Sequence, residues 1–193
     1  EIHLWYLDRN LMKIKPGDKG MASKTQLAFA RQVYAAAVEA KTEIDPAFVT
    51  AQAMLETGWG ARVIGKANLF GITKGSKWDG DIVMVKTHEY FKTPNQKFKE
   101  PDRIISVCKV TGKNLWYYTV MRAFKDFDSI GDCLKEHERL FQKPGYKDAW
   151  PYRKDPLKFA QKICDAVGCK YATAPTYLTT ITSIIKTIQR KCV

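Results

Sequence analysis

Glu56 is the residue whose type and setting most invite chemistry. It lies near the end of Pro46 to Thr57, a segment with helical apolar spacing. Val49, Ala53 and Glu56 stand at i, i+4 and i+7, so the glutamate shares the face expected to be buried. It also stands in the last helical turn, where the helix dipole is negative. Burial and dipole both disfavour the carboxylate and raise its pKa. A carboxylic acid still protonated near neutral pH is what a general acid needs. The alternative is a structural glutamate paired with Arg62 or a lysine. Other chemistries find little support. His3, His88 and His137 are scattered without metal-ligand spacing, and the five cysteines include no CxxC. Neither a GxGxxG nor a GxxxxGK(S/T) phosphate cradle occurs. No metal or organic cofactor is implied.

The elements that must position Glu56 follow from local signals. Ser23 and Gln26 form a capping-box pattern ahead of Leu27, Ala30, Val33, Tyr34 and Ala37. Asp45-Pro46 marks the start of the next helix and Gly58 its stop. Gly58 to Gly80 reads as loop, with one short helix around Ala61 to Ile64. The period then changes to strands over Asp81–Tyr90, Ile104–Val110 and Leu115–Phe124, with a hairpin turn at Thr111 to Asn114. Helical spacing returns at Asp128 and ends at Pro144-Gly145. Another helix starts at Asp155-Pro156 and stops at Gly168, and a last one carries Tyr177, Ile181, Ile184, Ile185 and Ile188. The expected class is α+β: a mainly helical lobe with a small inserted antiparallel β-lobe at about 81–124. Residues 1–22 read as an N-terminal arm or tag remnant, and 23–193 as the folded domain.

The chain carries 32 Lys and Arg against 20 Asp and Glu, a net charge of +12. Such a surface is drawn to anionic polymers, with nucleic acid, anionic lipid and bacterial wall all eligible. No nucleic-acid motif is present, and no apolar run is long enough for a transmembrane helix. Five cysteines leave at least one thiol unpaired within a chain, and partly buried free thiols are the favoured reading.

Several motifs occur in a fixed order: Leu55-Glu56-Thr57-Gly58-Trp59-Gly60, Asn68-Leu69-Phe70-Gly71-Ile72, Trp78-Asp79-Gly80, Thr87-His88-Glu89-Tyr90 and Tyr171-Ala172-Thr173-Ala174-Pro175-Thr176-Tyr177. Together they resemble the glucosaminidase family of peptidoglycan hydrolases, glycoside hydrolase family 73, over about residues 25–190. The resemblance implies a lysozyme-like fold with a glycan cleft between the lobes. It implies cleavage of the β-1,4 bond after N-acetylglucosamine in peptidoglycan. Glu56 matches the family's catalytic acid, Glu89 its second carboxylate and Tyr177 an active-site tyrosine. Trp59, Asn68, Phe70 and Trp78 match positions that shape the cleft, and Tyr90 is a further substrate-binding candidate.

Physical chemistry accommodates these roles. Two carboxyl groups commonly flank a glycosidic bond during hydrolysis. Glu89, expected to be solvated beside Lys86 and Lys92, would stay ionised and activate water or stabilise the oxocarbenium ion. Its alternative is a surface glutamate at a strand end. Tyr177 is also the first core residue of the last helix, and its hydroxyl could orient a substrate acetamido group acting as nucleophile. The four aromatics could instead simply pack; Trp78 is expected to be partly structural and Tyr90 partly exposed. Two departures stand out: Ala174 replaces the family's aspartate, and the Ile104–Phe124 hairpin lengthens the β-lobe. The competing readings are a lytic transglycosylase or muramidase, and a non-catalytic wall-binding protein. The expected partner is the glycan strand, with no nucleic acid, and a monomer acting in the periplasm, the cell wall or outside the cell. A phage lysis protein would wait in the cytoplasm until release.

Overall fold

The computed structural model describes residues 22–166, 171 and 176–193. Five α-helices and three strands follow one another among these residues: α1 (Lys24–Glu39), α2 (Pro46–Thr57), β1 (Ile82–Phe91), β2 (Arg103–Lys109), β3 (Trp116–Lys125), α3 (Ile130–Phe141), α4 (Pro156–Asp165) and α5 (Tyr177–Lys191). Two short 3₁₀ turns link α3 to α4. This is the expected α+β layout.

Helix starts follow the side-chain caps. Ser23 Oγ accepts from the Gln26 N–H at 3.2 Å, and Gln26 Oε1 accepts from the Ser23 N–H at 2.8 Å. Asp45 Oδ1 accepts from the Ala47 N–H at 2.8 Å, satisfying one orphan donor of α2. Pro46 stands at the first position, where its missing N–H costs nothing. Ser129 and Asp155 cap α3 and α4 in the same way. The stop expected at Gly168 lies outside the described residues.

α2 is the centre of the helical lobe. It packs against α1, α4 and α5, and every residue from Ala47 to Thr57 is buried except Glu56. A helix apolar on all sides belongs in a protein interior. Phe48 sits edge-on to Phe159 at 4.8 Å and to Phe141 at 6.1 Å. Burying each such ring is worth about 1.5–3 kcal/mol.

The strands form one antiparallel sheet in the order β1-β3-β2. β2 and β3 make the expected hairpin, and β1 pairs with the other edge of β3, from Ile82 opposite Lys125 to Phe91 opposite Trp116. Tyr118, Val120, Ala123 and Phe124 are buried in β3, apart from the main core. Residues 92–102 close over one face: Tyr118 Oη donates to the Thr93 carbonyl at 3.3 Å and accepts from the Gln96 N–H at 3.2 Å. β2 carries a bulge between Ile104 and Ser106.

The expected helix at 61–64 is absent. Ile64 instead bridges back to Asn68, and Arg62 N–H donates to the Thr57 carbonyl. Glycines and an Asn-directed turn outcompete helix there. Cys108 is exposed and Cys133 buried, both free thiols. Cys169 lies outside the described residues.

Candidate active site around Glu56

α2 ends abruptly. Gly58, Trp59 and Gly60 take φ values of 60°, 60° and 87°, three left-handed residues in succession. Glycine enters that region freely, whereas tryptophan is strained by roughly 1–2 kcal/mol. The Trp59 N–H donates to the Met54 carbonyl at 2.7 Å and closes the helix. Thr57 Oγ1 donates to Ala53 O at 2.6 Å and accepts from the Gly60 N–H at 2.8 Å, which holds the turn. Gly60 also needs its missing side chain: a Cβ there would meet Phe29 Cδ1 at 2.6 Å. The reversal leaves Glu56 as the one partly accessible residue at the end of a buried helix.

The Glu56 carboxyl group has no ion pair among the described residues, so the pairing with Arg62 or a lysine is not formed. Burial alone pushes its pKa from 4.5 up to about 7. No second carboxylate contributes to that rise.

Three groups surround it from different elements. Tyr177, the first residue of α5, and Tyr171 are both buried, their rings 5.6 Å apart. Burial raises both phenols, and the Glu56 charge raises them further. Gln52, one turn before Glu56, donates from Nε2 to Tyr177 Oη at 2.9 Å. Gln52 escaped notice in the sequence, although a lone amide four residues before Glu56 in an otherwise apolar stretch was the signal.

Glu89 is not solvated beside Lys86 and Lys92 as expected. Its Oε1 lies 2.7 Å from Arg122 Nη1, with the two side chains 14% and 11% exposed. Arg122 Nε also sits 2.8 Å from Asp102 Oδ2, and Asp102 Oδ1 accepts from the Ala123 N–H at 2.7 Å. The pairing arises because Val85 stands opposite Arg122 and Glu89 lies on the same face of β1 as Val85. Tyr90, 54% exposed, projects from the opposite face, so it and Glu89 do not share one surface. It lies 5.1 Å from Tyr117, which stacks on His88.

The remaining expected site residues hold loops in place. Asn68 is buried: Nδ2 donates to the Ile72 and Lys125 carbonyls, each at 2.9 Å, and Oδ1 accepts from the Ile72 N–H at 3.0 Å. It ties the 68–72 turn to β3. Phe70 stacks on buried His137 at 3.7 Å, and Trp59 is half-buried against the core. Trp78 donates from Nε1 to the Asp81 carbonyl at 2.9 Å and carries Lys125 Nζ over its ring at 4.6 Å. Ala174 lies outside the described residues.

A helical core ending in an isolated protonatable glutamate, with a small antiparallel sheet beside it, is the arrangement of lysozyme-like glycoside hydrolases. The chain belongs to the glucosaminidase family, whose model, described as mannosyl-glycoprotein endo-beta-N-acetylglucosaminidase, matches residues 32–190. It is 30% identical over 152 residues to the peptidoglycan hydrolase FlgJ of Vibrio parahaemolyticus, covering 76% of this chain and 41% of that protein. Against FlgJ of Pseudomonas aeruginosa it is 28% identical, covering 76% and 32% respectively. The chain thus spans well under half the length of these relatives. Among solved structures, the catalytic domain of the Listeria monocytogenes autolysin Auto superposes with a TM-score of 0.63 at 24% identity, covering 88% of each chain. The truncated glycoside hydrolase domain of Salmonella typhimurium FlgJ gives 0.62 at 23%, covering 86% of this chain and 98% of that one. These likenesses show a shared fold.

Proposed function

We propose that this chain hydrolyses peptidoglycan at the β-1,4 bond after N-acetylglucosamine, with Glu56 as the general acid. The observation that carries the reading is Glu56 itself: largely shielded, without an ion pair among the described residues, and protonated to near neutral pH at the exit of the central helix. In that state it can give a proton to the leaving oxygen as the bond breaks. The names of the FlgJ relatives support the polymer, and the net charge of +12 suits an anionic wall. The cell wall is then the place of action.

For the second half of the reaction we favour Tyr177 over Glu89. Tyr177 lies within electrostatic reach of Glu56, and its hydroxyl can orient the substrate acetamido group as an internal nucleophile. Glu89 is engaged by Arg122 and adds nothing to the Glu56 rise. Two carboxylates about 5 Å apart, the retaining arrangement, would push each other's proton affinity. Trp59, Phe70 and Trp78 then shape the walls beside the acid, and Asn68 holds their loop to the sheet.

The test is mass spectrometry of fragments released from purified peptidoglycan by the wild type and by Glu56→Gln. Fragments ending in reducing N-acetylglucosamine, lost in the variant, are expected. Anhydromuramic or reducing muramic ends would overturn the bond assignment. Wall binding without any product would replace the enzyme by a binding protein.

A further inference from the structure

The buried amide of Gln52 has no part in acid catalysis as described, yet its placement is specific. It occupies α2 one turn before Glu56 and is 1% exposed. Its Nε2 donates to Tyr177 Oη at 2.9 Å. Its Oε1 is buried with no hydrogen-bond partner among the described residues. A phenol has one proton to give and lone pairs to receive with. Because Gln52 donates to Tyr177, the Tyr177 proton is not used on Gln52 and must point elsewhere.

We propose that Gln52 is a positioning residue that acts through Tyr177, fixing the phenol as a hydrogen-bond donor toward the reacting space beside Glu56. The inference rests on the proposed glycosidase activity and deepens it. A carbonyl oxygen, such as that of a substrate acetamido group, is the complementary acceptor. Were the amide's only task to satisfy buried hydroxyls, an acceptor at position 52 would serve Tyr177 equally well. The amide instead presents its N–H to the phenol, which leaves the phenol's own proton for a substrate acceptor.

The experiment uses Gln52→Glu, whose buried carboxyl keeps its proton and can still donate to the phenol, and Gln52→Met, which offers neither donor nor acceptor. Tyr177→Phe and the double variant Gln52→Met/Tyr177→Phe complete a cycle. Turnover on peptidoglycan, KM and Tm are measured for each, with Glu56→Gln as the inactive control. Gln52→Met is expected to lose on the order of 10²-fold in kcat with KM within about threefold, as a misdirected group does, and Gln52→Glu to keep most of the turnover through its retained donor. In the Tyr177→Phe background, Gln52→Met is expected to cost no further turnover. Gln52→Met with near wild-type kcat would overturn the proposal, since the phenol would then work with no donor at residue 52. So would a fall in Tm with kcat intact, or a further loss in the double variant. A wild-type chain that releases no fragments would sink the glycosidase reading, and this inference with it.

Discussion

Glu56→Gln should change the pH dependence of stability as well as activity, because one proton affinity governs both. In the folded chain Glu56 keeps its proton up to about pH 7, while an exposed glutamate loses it near 4.5. Between those values the folded state binds more protons than the unfolded one, so the Glu56 contribution to stability falls as pH rises. Below about pH 4.5 both states are protonated and nothing is lost; above about pH 7 the loss is complete. The gap corresponds to about 3 kcal/mol at about 1.4 kcal/mol per pH unit. Glutamine has no proton to lose, so the variant gains on the wild type by about that amount between pH 4.5 and pH 8. For a domain of this size that is a widening of about 6–12 °C in Tm. Buried His137, common to both proteins, cancels in the difference. Thermal or urea unfolding at pH 4.5, 6, 7 and 8 measures it. In parallel, wild-type turnover should fall as pH rises through about 7, following a protonated fraction of about 90% at pH 6 and about 10% at pH 8. Stability curves for the two proteins that run parallel across the window would refute the burial argument.

Other perturbations test the surroundings. Glu89→Gln takes one carboxylate partner from Arg122, and should cost about 1–3 kcal/mol in urea unfolding while lowering kcat far less than Glu56→Gln. An equal collapse of turnover would restore Glu89 as a catalytic group. Gly60→Ala meets both a φ of 87° and Phe29 at 2.6 Å, whereas Gly75→Ala meets only a φ of 65°. The first should cost about 2–4 kcal/mol and the second about 1, read as Tm; equal losses would remove Phe29 from the argument. Asn68→Asp replaces the donor to two carbonyls by a buried charge. A loss of about 3 kcal/mol and faster amide exchange at 68–72 are expected, and unchanged exchange would show that the turn holds without it.

Much of the fold was legible because its signals are local. Ser23 with Gln26, Asp45-Pro46 and Asp155-Pro156 mark helix starts by chemistry within four residues, and Gly58 marks a stop by its φ. The hairpin of β2 and β3 was readable from its turn. The pairing of β1 with the far edge of β3 crosses more than twenty residues of chain and left no such mark. For the same reason the partners of Glu89 were misread: Lys86 and Lys92 are neighbours in sequence, but Arg122 and Asp102 reach it through the register. The composition of 61–64 permits a helix, while the Ile64–Asn68 bridge depends on the Asn68 contacts. Glu56 was read from spacing and burial, and it does sit at the end of the buried α2. Its isolation from every cation among the described residues could come only from three dimensions.

The bulge at Ile105 bears on whether the protein stays in solution. β2 is one of the two edge strands, exposed along its whole length, with Ile105 52% and Ile104 40% accessible. A straight apolar edge of that kind is a template on which a second chain can add its own strand. The irregularity between Ile104 and Ser106 breaks the regular spacing of edge N–H and C=O groups, and Arg103 and Lys109 place positive charge at both ends. Two such edges approaching each other would meet mismatched backbones and like charges. An exposed apolar edge of this kind need not bring fibrillar association with it, because the strand that creates the hazard also interrupts it.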